Sequence, residues 1–178
     1  WMLGPAGTLY AIAAEAIADL FSEERELTDD EYAWLVDQVF GDTLPPRDKI
    51  VLTDGLGISN RPFTFPSPLD RITVNIGPDR YSDPRSSDPA TFVHEITHAW
   101  QIHHTNDLFW MADAFSSQIC NSLGAATYDP GTELKPWGEY NLEQQASIVE
   151  IWFKEHQPGV DHRYDDYINT KIRMGINN

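Results

Sequence analysis

The sequence is short of positive charge. Lys and Arg number 12 against 28 Asp and Glu, a formal net charge of −16 over 178 residues. Nucleic acid and anionic membranes are recognised by clustered Lys and Arg, so this composition argues against both partners. Cysteine is almost absent. The single Cys120 excludes an internal disulfide and a Cys-rich structural zinc site, and it reads as a small buried hydrophobe. No run of about 18 apolar residues occurs, which excludes a membrane-spanning helix. The apolar-rich stretch from Leu9 to Leu20 carries Glu15 and Asp19 and follows no basic segment, unlike a signal peptide. Position 1 is Trp rather than Met, and the expectation is one domain, residues 1–178, cut from a longer protein. Repeats and low-complexity tracts are missing as well. Six Trp, seven Tyr and eight Phe, by contrast, supply ample apolar surface for one sizeable core.

Hydrophobic periodicity gives the order of elements. Leu9, Ile12, Ala13, Ala16, Ile17 and Leu20 have helical spacing within Thr8–Glu23. Thr28-Asp29-Asp30-Glu31 is a capping box, with Leu27 and Tyr32 as a hydrophobic staple, and predicts a helix to about Phe40 that stops near Gly41. The period then changes. Lys49–Thr53 and Arg71–Ile76 read as strands, and the proline-rich Arg61–Pro68 between them reads as a loop or edge segment. Asp88 with Pro89 opens a third helix. A fourth is expected from Asn106 through Ile119, a long loop over Ser122–Gly138, and a strong helix capped by Asn141 and broken at Pro158-Gly159. A short helix over Arg163–Met174 closes the chain. Helices, a few strands, then helices describe an α+β domain, mostly helical, with a small sheet.

The most informative stretch is His94-Glu95-Ile96-Thr97-His98. This is H-E-x-x-H on a predicted helix. Residues four apart share a helix face, so both imidazoles can reach one metal ion, and Glu95 lies beside it as a base. With six His and eleven Glu in the chain, chance supplies roughly 0.01 such matches.

A catalytic zinc site takes three protein ligands and leaves a fourth position open. Glu143, in the first turn of the helix after Asn141, is a carboxylate that a packed second helix could deliver. His104 has the spacing of H-E-x-x-H-x-x-G-x-x-H, but Gln101 stands where that motif needs a turning glycine. Without the turn, His104 lies about 600° round the helix from His98. Asp129 and Asp113 are further alternatives.

His94-Glu95-Ile96-Thr97-His98-Ala99-Trp100-Gln101, with Tyr128 and then Glu143-Gln144-Gln145-Ala146-Ser147-Ile148-Val149, resembles a family of bacterial zinc metallopeptidase domains. Their pattern is H-E-[LIM]-x-H-x-W-Q followed by E-Q-Q-A-x-I-V, and the resemblance covers roughly residues 90–153. Such domains extend VgrG-type spike proteins or serve as other effectors of type VI secretion. The resemblance implies a zincin-like fold with the sheet beside the H-E-x-x-H helix. It implies one Zn²⁺ on His94, His98 and Glu143, with Glu95 as general base. Tyr128 and Tyr140 become candidates for the oxyanion donor, and His103, His104 and His162 stay open. By the general zincin layout, the strand bearing Ile72, Val74 and Ile76 would present a free edge to an extended peptide. The implied function is a secreted antibacterial or anti-host toxin that cleaves protein or peptide substrates in the periplasm or another compartment of the target cell. Its implied partners are the spike apparatus and an immunity protein. Two other readings are a non-catalytic metal-binding module that docks a partner through its acidic surface, and a zinc amidase acting on peptidoglycan peptides.

Overall fold

A computed structural model describes residues 23–56, 60–67, 70–105 and 128–177. The helices expected within Thr8–Glu23 and Asn106–Ile119, with Asp113, Cys120 and the first part of the 122–138 loop, lie outside the described residues apart from Glu23.

The architecture is α+β. A four-stranded mixed sheet has the order β1 (Glu24–Glu26), β2 (Ile50–Thr53), β4 (Arg71–Asn75), β3 (Phe63–Ser67). Strand β2 runs antiparallel to β1 and parallel to β4, with Leu52 opposite Val74. Strand β3 is antiparallel to β4, with Thr64 opposite Val74. The two central strands are the β-branched runs that the sequence predicts, and Ile50, Leu52, Ile72 and Val74 all enter the core.

The expected free edge at residues 71–76 is not there. Strand β4 is paired on both sides, and Ile72, Val74 and Ile76 are core residues. The proline-rich segment supplies the outer strand instead. Proline removes a ladder donor, so it is tolerated at an edge, and β3 holds Pro66 at the margin of the sheet. At the opposite margin, the charged Glu24-Arg25-Glu26 blunts β1 in the same way. Gly77, at φ +86°, ends the path out of β4, and a Cβ there would stand 2.7 Å from Leu56 Cδ2.

Three longer helices accompany this sheet, and the one bearing the H-E-x-x-H motif packs directly on it. Helix α1 (Asp29–Leu35) has the predicted capping box: Thr28 Oγ1 accepts from Glu31 N at 3.1 Å, and Glu31 Oε2 accepts from Thr28 N at 2.7 Å. Arg25 clamps the same carboxylate with two bonds of 2.7 Å. The helix widens into a π-helical turn over Val36–Phe40 and stops at Gly41, φ +58°. Helix α2 (Pro89–His103) carries the H-E-x-x-H motif, and helix α3 (Leu142–Glu155) carries Glu143. Helix α2 lies between β3 and β4 on one side and α3 on the other, and is buried throughout from Phe92 to Gln101. A last segment, Asp165–Tyr167 running into Ile168–Ile172, seals the core with Tyr164, Ile168 and Ile172.

Candidate metal centre

Each half of the site begins with a capped helix. Asp88 Oδ1 accepts from Thr91 N at 3.2 Å, Pro89 takes the first helical position, and Arg80 holds the other Asp88 oxygen at 2.9 Å. Asn141 and Gln144 exchange reciprocal bonds of 2.9 and 3.1 Å at the start of α3. That box fixes the turn from which Glu143 projects. Packing α3 on α2 then brings together three side chains that are 49 and 45 residues apart in pairs (143 minus 94, 143 minus 98).

The donor atoms form a nearly equilateral triangle. His94 Nε2 and His98 Nε2 are 3.2 Å apart. Glu143 Oε2 lies 3.4 Å from each. Ligands about 2.0–2.1 Å from a tetrahedral ion stand about 3.3–3.4 Å from one another, so the triangle has the dimensions of one coordination face. All three residues are buried, and among the described residues they are the group able to hold a metal ion.

The outer contacts of the imidazoles reinforce this reading. His94 Nδ1 is 3.0 Å from Glu150 Oε2, a carboxylate that can only accept. His98 Nδ1 is 2.8 Å from Gln101 Oε1. Both Nδ1 atoms therefore donate outward, and in the neutral rings both Nε2 lone pairs point inward at the Glu143 carboxylate. Three lone pairs facing one another across 3.2–3.4 Å need a cation between them.

In the metal-free chain a proton can take that place. Burial pushes His94 down, but the Glu143 and Glu150 carboxylates outweigh it and raise its pKa from 6.5 to about 10. Burial pushes Glu143 up, and the His98 and His94 rings outweigh it and hold its carboxyl well below the usual range. The two shifts describe one ion pair.

Glu95 is also buried, and burial drives its pKa up against the opposing pull of His98 and His94. Its Oε2 accepts from the Thr64 hydroxyl at 2.8 Å. Edge strand β3 thus touches Glu95 directly through Thr64, whose hydroxyl is also 3.1 Å from the Glu95 carbonyl.

The remaining sequence candidates divide clearly. Tyr128 belongs to the site: its ring centroid is 6.2 Å from that of His94. Burial and the Glu143 charge raise its pKa, partly offset by a hydrogen bond from Arg61. Tyr140 does not donate into the site. Its hydroxyl is taken by Glu133 O at 3.2 Å and Lys135 N at 3.0 Å. His104 packs on Trp100 and bonds Thr43 O at 2.8 Å. Asp129 closes its own loop by accepting from Gly131 N at 2.8 Å. His162 pairs with Glu155 at 3.1 Å. The half-buried His103 ring is lowered by burial, then by neighbouring His104 and Lys49.

Three residues to which sequence reasoning gave no role at the site stand there in the structure. Glu150 lies seven residues after Glu143, two helical turns on the same face, and that spacing is the signal that could have found it. Gln101 is three residues after His98 on α2. Thr64 has no such signal, because its contact with Glu95 depends on strand pairing.

Comparison with protein-family models, with curated proteins and with solved structures gives no match to this chain.

Proposed function

We propose that the chain is a zinc-dependent peptidase, in which His94, His98 and Glu143 hold the ion and Glu95 is the general base. The observation that carries this reading is the triangle of inward-facing donor atoms 3.2–3.4 Å on a side, with a buried carboxylate on the adjoining residue of the same helix. Two imidazoles and one carboxylate form a donor set suited to zinc. When bound, zinc supplies a Lewis acid that acidifies water and polarises a carbonyl.

The residues themselves do the rest. Glu150 and Gln101 orient the two imidazoles. Thr64 fixes Glu95 Oε2, and the raised pKa of Glu95 suits a base that takes a proton from water and returns it to the leaving amine. Tyr128, kept protonated by its raised pKa, is the candidate donor to a developing oxyanion. An extended peptide would pair along β3, the strand that reaches Glu95, in the role first expected of residues 71–76. The resemblance to type VI effector domains extends the proposal to a secreted toxin that acts in the target cell's periplasm.

The test is Glu95→Gln. Cleavage of a protein substrate should fall by about 10²- to 10⁴-fold while zinc content is unchanged. If cleavage and toxicity both survive, the catalytic reading is wrong. Wall fragments and proteins offered in parallel assays separate a peptidase from an amidase.

A further inference from the structure

The Gln101 side chain presents its oxygen, not its nitrogen, to His98, and the reason lies one residue further out. Gln101 Nε2 donates to Leu142 O at 3.1 Å and to Gln145 Oε1 at 2.9 Å. Gln145 Nε2 in turn faces Trp137 O at 3.1 Å and Tyr140 O at 3.4 Å. Backbone carbonyls can only accept. Three of them, at Trp137, Tyr140 and Leu142, therefore fix which end of each amide points which way. Both glutamines are buried, at 1% and 4% exposure.

We propose that Gln145 is a positioning residue for the metal centre, setting the His98 tautomer through the orientation of the Gln101 amide. A Gln101 amide turned end for end would offer N–H to His98 Nδ1. Nδ1 would then have to accept, and the neutral ring's proton would move to Nε2, the atom that faces His94 and Glu143. A protonated Nε2 has no lone pair for a metal. Gln145 touches neither His98 nor the ion, yet with Leu142 O it supplies one of the two acceptors that make this flip unfavourable. Its partners on Trp137 and Tyr140 tie ligand geometry to the segment leading into α3. The inference rests on the metal-site half of the proposal above and is independent of peptidase activity.

Zinc affinity, measured on the whole chain by competition with a chromophoric chelator, tests it. Gln145→Met keeps the side-chain length but removes the acceptor, and should weaken Zn²⁺ binding about 10- to 100-fold. Gln145→Glu retains an acceptor for Gln101 Nε2 but loses the donor to Trp137 O and Tyr140 O, so its affinity should fall between those of the parent and Gln145→Met. In a Gln101→Glu background a carboxylate accepts from His98 Nδ1 whichever way it turns, so the Gln145→Met loss should disappear. This double substitution also decides the matter if Gln145→Met alone folds poorly. Ring ¹⁵N shifts of His98 should show a protonated Nδ1 in the zinc-loaded parent. A Gln145→Met loss that persists undiminished in the Gln101→Glu background would reduce Gln145 to a packing residue and overturn the relay, as would parent-like zinc affinity in Gln145→Met. A parent chain that binds no zinc sinks the metal reading itself, which distinguishes the two failures.

Discussion

Glu143 and His104 offer the sharpest contrast between single residues. His104 was weighed as a third ligand on its spacing and disfavoured for want of a turning glycine, and Glu143 was weighed on its place in a second helix; Glu143 completes the triangle with His94 and His98, while His104 bonds Thr43 O at the far end of α2. Glu143→Ala should lower zinc affinity by at least the 10- to 100-fold typical of losing a lesser, outer contact. His104→Ala should leave zinc content unchanged, and elemental analysis of the two purified variants reads both outcomes. The titration of His94 gives a second test. Its pKa is 6.5 as a free ring and about 10 in the metal-free fold, so between these values the folded chain holds a proton that the unfolded chain lacks. The stability from this pairing is complete below the lower value and lost as pH rises through the upper one. Zinc reverses the sign, because the proton must leave before the ion binds, so zinc affinity rises with pH over the same window. Thermal melting of chelated protein should therefore decline across that window, and zinc-loaded protein should resist the decline. A chelated chain with a flat profile would contradict the ion pair.

At the scale of elements, legibility followed locality. Capping boxes at Thr28–Glu31 and Asn141–Gln144, the Asp88 cap and the two β-branched strands were all readable, because each is settled by residues within a few positions of one another. Strand order was not, because it depends on which segment pairs with which. The two margins of the sheet are the charged Glu24–Glu26 and the proline-bearing Phe63–Ser67, and these composition signals suit an edge but do not announce a strand. Residues 71–76 were expected at a margin by the general zincin layout, and they are found inside because the proline-bearing segment pairs outside them. The site shows the same division. The two histidines on α2 were legible from a four-residue spacing, whereas Glu150, Gln145 and Thr64 take their places only after α3 and β3 have docked. The Asn141 cap lies on the local side of that line but controls a long-range contact. Asn141→Ala should cost about 1 kcal/mol in urea denaturation. Because Glu143 sits in the turn that this cap holds, zinc affinity should fall as well. An equal stability loss with unaltered zinc affinity would show that docking against α2 alone positions Glu143.

For the whole molecule, an ion held by His94, His98 and Glu143 would cross-link two helices that pack on each other in the core. Helix α2 is anchored to the sheet through β3 and β4, and α3 reaches the C-terminal segment through Trp152 Nε1, which donates to Asp165 Oδ1 at 2.7 Å. An ion shared by His94, His98 and Glu143 therefore links the sheet side of the fold to its C-terminal side. It also offsets part of the negative charge of a chain at −16 overall. An ion that binds only the folded form stabilises it by mass action, by about 2.7 kcal/mol at a free concentration 100 times its Kd. For a chain of 178 residues, each kcal/mol moves Tm by about 2–4 °C, so zinc should raise Tm by about 5–11 °C over chelated protein. The variants sort the cause. Glu95→Gln keeps all three donors and should retain the full shift, even though cleavage is lost. Glu143→Ala removes a donor from one helix and should lose most of the shift. If Glu143→Ala instead keeps the parent's zinc-dependent rise, the ion is held elsewhere and the link between α2 and α3 is packing alone.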